Sequence, residues 1–172
     1  IFSWIEYVVF KPLPGVADVR SLHLVEPRTE TGGYPGTSWR EFGDLQERVR
    51  AFRGLFAYRM VPFNVGEAPR VERTFGQFVS GNFFAELGLR PAAGRFFLPD
   101  DTARAGGEPV VVISHMLWQA RFAGAPDVLG RTLRVNGRDL TIIGVAPPGF
   151  QGTVLALRFD VCQLARGRPL DD

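Results

Sequence analysis

Thr132-Leu133-Arg134-Val135-Asn136-Gly137-Arg138-Asp139-Leu140-Thr141-Ile142-Ile143-Gly144-Val145 contains the sharpest local signal in the chain. Asn-Gly between two alternating apolar runs predicts a two-residue type I′ turn, because both central positions of that turn need positive φ. The turn joins Thr132–Val135 to residues 139–145 as an antiparallel hairpin. Upstream, Val110-Val111-Val112-Ile113 is a continuous apolar run, the pattern of a strand covered on both faces. Ser114 follows it and suits the N-cap of a helix running to about Phe122. Strands and helices are therefore mixed, with at least one tight antiparallel pair. This predicts an α+β fold rather than a doubly wound parallel sheet.

The rest of the chain reads outward from this core. Asn82-Phe83-Phe84-Ala85-Glu86-Leu87 predicts a short helix, with Gly88 placed to stop it. Phe42, Leu45, Val49 and Phe52 recur at three-four spacing after Ser38, and Arg40, Glu41, Glu47, Arg48 and Arg50 fall on the opposite face. This is the clearest amphipathic helix in the sequence, with Gly54 suited to its end. Residues 55–58 and 63–65 are short strand candidates, and Arg70–Val79 is a longer one. Ser21-Leu22-His23-Leu24-Val25-Glu26 alternates at period two and predicts a half-buried strand. Residues 29–37 hold three Gly and a Pro and predict a loop. No internal repeat or low-complexity tract is evident.

The chain has 172 residues, enough for one domain or two small subdomains. Its hydrophobic content is 45%, with 15 Phe and 3 Trp, which supports a packed core and argues against disorder. The formal net charge is +2, and Lys11 is the sole lysine among 20 basic residues. The arginines are scattered among 18 acids, with no basic stripe and no recognition motif. The expectation is no nucleic-acid partner.

Residues 1–10, Ile-Phe-Ser-Trp-Ile-Glu-Tyr-Val-Val-Phe, are apolar and aromatic and are closed by Lys11-Pro12-Leu13-Pro14. Aromatics beside an apolar run, followed by a cation, suit a membrane–water interface. The run is too short to span a bilayer, which needs about 20 apolar residues. It is read as the outer end of a transmembrane helix in an excised piece of a longer protein; a buried strand or helix is the alternative.

Reactive chemistry finds little support. Gly32-Gly33-Tyr34-Pro35-Gly36 and Ala105-Gly106-Gly107-Glu108 lack the Gly-Lys-Ser/Thr ending of a phosphate-binding loop and read as turns. His23 and His115 belong to no His-x-x-x-His pair. Ser114-His115 suggests a nucleophile and base, but neighbours on a helix point about 100° apart, and no Gly-x-Ser-x-Gly elbow surrounds the serine. Asp100-Asp101 reads as a helix start or exposed loop. Cys162 is the only cysteine, so no intrachain disulfide can form, and it reads as a small apolar core residue. Phe83-Phe84 and Phe96-Phe97 read as core packing, with a partner or membrane contact as the alternative. No residue is assigned a catalytic, cofactor-binding or metal-ligating role, no cofactor is expected, and the chain is not read as an enzyme.

Several blocks follow one another in a set order: Val79-Ser80-Gly81-Asn82-Phe83-Phe84, Leu87-Gly88-Leu89-Arg90-Pro91, Gly94-Arg95-Phe96-Phe97, Val110-Val111-Val112-Ile113-Ser114, Leu117-Trp118, Arg121-Phe122, Gly130-Arg131, Asn136-Gly137 and Ile143-Gly144-Val145-Ala146-Pro147-Pro148-Gly149-Phe150. Together with Phe10-Lys11-Pro12-Leu13-Pro14, Phe52-Arg53-Gly54-Leu55 and Gly66-Glu67-Ala68-Pro69, this order resembles the periplasmic core domain of MacB-type ABC transporter permeases. The Phe83 to Phe97 and Gly144 to Phe150 blocks look most like permeases of duplicated architecture, often without an ATPase on the same chain. The resemblance departs at Asp160-Val161-Cys162-Gln163-Leu164, where the family tends to continue Asp-Val-Trp.

The resemblance implies a mixed strand–helix subdomain with an inserted, more β-rich subdomain, their boundary near residues 90–100. Residues 1–14 would be the outer end of the first membrane helix and its exit linker. Residues 15–165 would be the extracytoplasmic domain, outside the cytoplasmic membrane, and residues 166–172 a polar tail. The function implied is mechanical coupling of ATP-driven helix motion to export or envelope remodelling. The implied partners are a cytoplasmic ATPase subunit, a second permease copy or half, and an envelope adaptor. A stand-alone extracytoplasmic module holding a peptide or lipid, and a small hydrolase with a hidden site, remain the other readings.

Overall fold

The computed structural model describes residues 16, 18–25, 36–98, 101, 109–154 and 157–165. Helix α1 (Trp39–Arg48) is followed by strands β1 (Tyr58–Glu67) and β2 (Arg70–Val79), then by the short helix α2 (Phe83–Glu86) and strand β3 (Ala93–Gly94). Strand β4 (Val110–Ile113) leads into helix α3 (His115–Phe122), and strands β5 (Thr132–Val135), β6 (Arg138–Val145) and β7 (Val161–Leu164) complete the order. The fold is α+β.

The sheet closes on itself. Its strand order is β3-β6-β4-β7-β2-β1-β5, and β5 also pairs with β6, so six strands form a ring with β3 lying alongside β6. Alternation then sends side chains to two places. Phe63, Val65, Val111, Ile113, Leu140 and Ile142 point into the ring and make one buried cluster. Val79, Val112, Cys162 and Leu164 point outward into a second cluster beneath Phe83, Phe84, Leu87, Phe97 and Phe150. Strand β4 feeds both, as its unbroken apolar run requires.

One extra residue in β6 keeps this partition. Val111 pairs with Ile142 but Val112 pairs with Gly144, so Ile143 is a bulge. It restores Val145 to the inner cluster and Ala146 to the outer one. The Asn136-Gly137 turn takes φ of 49° and 75°, the positive pair that type I′ demands. Ser114 caps α3 by accepting the Leu117 amide at 2.9 Å. Ser38 caps α1 in a capping box with Glu41, whose carboxyl pKa is lowered by its hydrogen bonds to the Ser38 backbone and hydroxyl.

Three expectations need correction. Residues 21–26 do not form a strand within the described part: Val19–Ser21 is a 3₁₀ turn, and Leu24 and Val25 are exposed. Alternation alone had no partner strand to pair with. Helix α1 ends at Arg48, with Val49 in extended backbone and Phe52 exposed beyond it. Residues 55–58 and 63–65 are not separate short strands; a single ten-residue strand β1 begins at Tyr58 and takes in 63–65. Pro62 is tolerated inside β1 because the strand has a neighbour on only one side there. Residues 1–15, most of the 29–37 loop, Asp100, the Ala105-Gly106-Gly107-Glu108 turn and the tail 166–172 lie outside the described residues.

Candidate functional site

Two polar junctions and an aromatic layer organise the described residues. The first junction is Asp160, at the start of β7. Its Oδ2 accepts the Thr74 hydroxyl at 2.6 Å and its Oδ1 accepts the Ser114 hydroxyl at 3.0 Å. Its amide donates to Phe75 O and its carbonyl accepts Ser114 N, each at 2.9 Å. Arg158 Nε stands 3.7 Å from Oδ1, and the aspartate side chain is only 14% exposed. One carboxylate thus joins β2, β4, α3 and β7.

The second junction is the Ser80-Gly81-Asn82 corner between β2 and α2. Ser80 Oγ accepts Ala57 N at 3.0 Å and donates to Asn82 Oδ1 at 2.8 Å. Asn82 Nδ2 then donates to Leu55 O at 3.0 Å. The approach to β1 is held to the exit from β2 by side chains within three residues of each other.

Phe84 is the centre of the aromatic layer. It stacks on Phe96 at 4.0 Å and 9°, meets Phe83 edge-on at 5.1 Å, and touches Phe97 and Phe150 at 5.9 and 6.2 Å. Offset and edge-to-face pairs add about 0.5–1.5 kcal/mol each beyond area burial. Blocks far apart in sequence, Phe83-Phe84, Phe96-Phe97 and Phe150, converge here. The double aromatics are core packing, with Phe83, Phe84 and Phe97 buried.

The residues singled out for chemistry are placed as follows. Ser114 is buried, and its hydroxyl is committed both to its helix and to Asp160. His115 packs edge-on against Trp118 at 5.3 Å, and Ser114 makes no hydrogen bond to it. His23 is exposed in irregular backbone. Asp101 receives both terminal nitrogens of Arg95, at 2.7 and 3.1 Å, together with the Leu98 amide at 2.9 Å. That hydrogen bonding raises the Arg95 pKa. Cys162 is buried in the outer cluster, and desolvation pushes its thiol up to about 12. Such a thiol is a poor nucleophile at neutral pH. Among the described residues no group of three or more His, Cys, Asp or Glu could hold a metal ion, and no helix is long and apolar enough to cross a membrane.

Sequence reasoning missed Asp160 as a junction. Its only signal was the Asp-Val step in the block where the chain departs from the family pattern. Nothing in the sequence around Arg121 indicates a role; it crosses from α3 to donate to Val65 O at 3.3 Å. Gln77 carries no signal in the sequence. It is fully buried, donates to Thr153 Oγ1 at 3.0 Å, and leaves its own Oε1 without a partner.

Comparison with known proteins agrees with the geometry. The chain is similar in fold to the periplasmic region of MacB from Actinobacillus actinomycetemcomitans, with a TM-score of 0.60 at 16% identity over 76% of this chain and 56% of that one. It is similar to the extracellular domain of the noncanonic ABC-type transporter YknZ from Gram-positive bacteria, with a TM-score of 0.59 at 15% identity over 74% and 62% of the respective chains. The chain therefore spans somewhat over half the length of these two solved domains. No curated protein sequence matches it significantly. A family model described as MacB-like periplasmic core domain matches residues 1–162. With that match extending over nearly all of its length, the chain belongs to the family of MacB-like periplasmic core domains.

Proposed function

We propose that this chain is the extracytoplasmic domain of an ABC transporter permease and couples ATP-driven motion of membrane helices to export or envelope remodelling, with no catalytic chemistry of its own. The observation that carries this reading is the family match over residues 1–162. The physics of the domain supports it. Force is transmitted by a body that resists deformation, and a ring of paired strands with packed clusters inside and outside it is such a body. The hydroxyl and thiol that a hydrolase reading would use are occupied by a cap and an aspartate, or are buried and protonated. In this reading residues 1–14 are the outer end of a membrane helix and its exit linker. The ATPase, a second permease copy and an envelope adaptor are the partners.

The test uses the full-length permease with its ATPase in nanodiscs, spin-labelled at Arg53→Cys and Arg90→Cys, two exposed positions. Trapping the ATP-bound state should change the distance between domains of two copies while the Arg53-to-Arg90 distance within one domain stays fixed. Unchanged distances between copies, together with export that survives deletion of the domain, would overturn the proposal.

A further inference from the structure

The ring is not equally strong all the way round. Strands β1 and β2 are paired along their whole length, from Tyr58 opposite Val79 to Glu67 opposite Arg70. Strand β2 is held to β7 from Gly76 to Val79. Beyond that register Asp160 adds its amide bond to Phe75 O and its carboxylate bond to Thr74, and within it Gln77 adds its side-chain bond to Thr153. On the other side of the same hairpin, β1 meets β5 at one bridged pair, Val65 opposite Val135.

Among the described residues, Asn136 bonds to β1 across that seam and Arg121 bonds to β1 from helix α3. Asn136 N donates to Asn64 O at 2.8 Å, and Asn136 Oδ1 accepts Asn64 N at 2.8 Å. Arg121, from the helix that follows β4, donates to Val65 O at 3.3 Å. Asn64 and Asn136 are exposed, so water competes for these bonds, whereas Val65 and Val135 contribute buried apolar contact to the inner cluster. Local opening in proteins follows the boundary with the fewest buried contacts and the most solvent-accessible hydrogen bonds.

We infer that the β1–β5 seam is a built-in opening line. The β1–β2 hairpin swings outward about its β2–β7 attachment, and Asn136 and Arg121 act as the latch that holds the ring shut. Asn136 has two roles here: its backbone makes the left-handed turn and its carboxamide closes the ring. The inference concerns the domain alone and stands whether or not the transporter reading does.

The experiment is residue-resolved native-state hydrogen exchange on the 172-residue chain. The amide of residue 136 is the reporter, and those of Ala146 and Asp160, bonded to Ile113 O and Phe75 O, are the references. In the parent chain the reporter should exchange at least tenfold faster than both references and with a weaker denaturant dependence. Asn136→Gly keeps positive φ available and keeps the reporter amide, and removes the side chain that bonds Asn64. It should speed the reporter by about a further tenfold, the order expected for one lost hydrogen bond, and leave the references unchanged. A Val65→Cys/Val135→Cys disulfide should slow the reporter to the reference rate until it is reduced. A reporter that exchanges with the references in the parent chain, or an Asn136→Gly change that accelerates all three equally, would overturn the inference. If the cysteine pair prevents folding, the parent and Asn136→Gly measurements decide it alone.

Discussion

Ser114 and Asp160 are bonded to each other twice, through the Ser114 hydroxyl to the Asp160 carboxylate at 3.0 Å and through the Ser114 amide to the Asp160 carbonyl at 2.9 Å. The pair ties the end of β4 to the start of β7 at the point where α3 begins. Asp160→Ala should cost about 2–3 kcal/mol, since it strips a charged acceptor from the Thr74 and Ser114 hydroxyls. Ser114→Ala should cost about 1–2 kcal/mol as a lost helix cap. Because the two residues share a network, the double variant should be clearly less destabilised than the sum of the singles. Urea melts of the four proteins measure this, and strict additivity would show that the two act separately.

Gly76 and Gly43 should respond oppositely to alanine. A Cβ at Gly76 would collide with the Phe63 ring and with Val161 O, one a ring inside the barrel and the other backbone of the neighbouring strand. Gly76→Ala should therefore destabilise by about 2–3 kcal/mol through overpacking. A Cβ at Gly43, within α1, would meet nothing within 4 Å. Gly43→Ala should stabilise by up to about 1 kcal/mol from helix propensity. Thermal melts of both variants give the signs directly.

Cys162 sets an alkaline limit. Its folded pKa is raised to about 12 from an ordinary value of 9.0, so the folded state keeps the proton where the unfolded chain loses it. The stabilisation is complete below pH 9 and is lost as pH rises from there toward 12. Over that window the thiol should contribute a slope approaching about 1.4 kcal/mol per pH unit. Cys162→Ala should remove this part of the pH dependence while leaving the part due to other groups. In the native protein at pH 8 a thiol reagent should label Cys162 only as fast as the domain opens.

Gln77 leaves a buried acceptor unmatched, and its replacement should show the cost of that. Gln77→Met removes the orphaned oxygen along with the bond to Thr153, and should change stability by no more than about 1 kcal/mol in either direction. Gln77→Glu would put a carboxylate oxygen where the Gln77 Oε1 finds no donor among the described residues, and should cost several kcal/mol at neutral pH. Chemical denaturation at pH 7 separates the two outcomes. A harmless Gln77→Glu would mean that the site is wetter than its complete burial indicates.

What could be read from the residues alone were the features set by near neighbours. The Asn136-Gly137 turn, the Ser114 cap, the apolar run of β4 and the short helix stopped by Gly88 each follow from a few adjacent side chains. Pro62 and Gly66 break the sequence pattern of β1 into fragments, and only the continuous pairing with β2 carries the strand across them. The closure of the ring depends on Val65 meeting Val135, 70 positions apart, and nothing local to either residue encodes it. Asp160 and Gln77 were invisible for the same reason: their partners, Thr74, Ser114 and Thr153, come from distant strands and loops. The aromatic blocks were legible as core material, but their convergence on Phe84 required the fold.

The bulge at Ile143 gives β6 two separate grammars. Before it, alternate positions such as Leu140 and Ile142 answer to the fixed volume inside the barrel; after it, Gly144 and Ala146 answer to the outer layer, with the parity reversed. Shortening this strand by one residue would therefore do more than remove a side chain. Losing Ile143 itself would leave a regular ladder with Val145 still inward and Ala146 outward, whereas losing a paired residue before it, with the register kept, would send Val145 outward and Ala146 inward. Tolerance of length change must then differ sharply along one strand, permissive at the solvent turn and at the bulge six residues later, and absent at the paired residues between them.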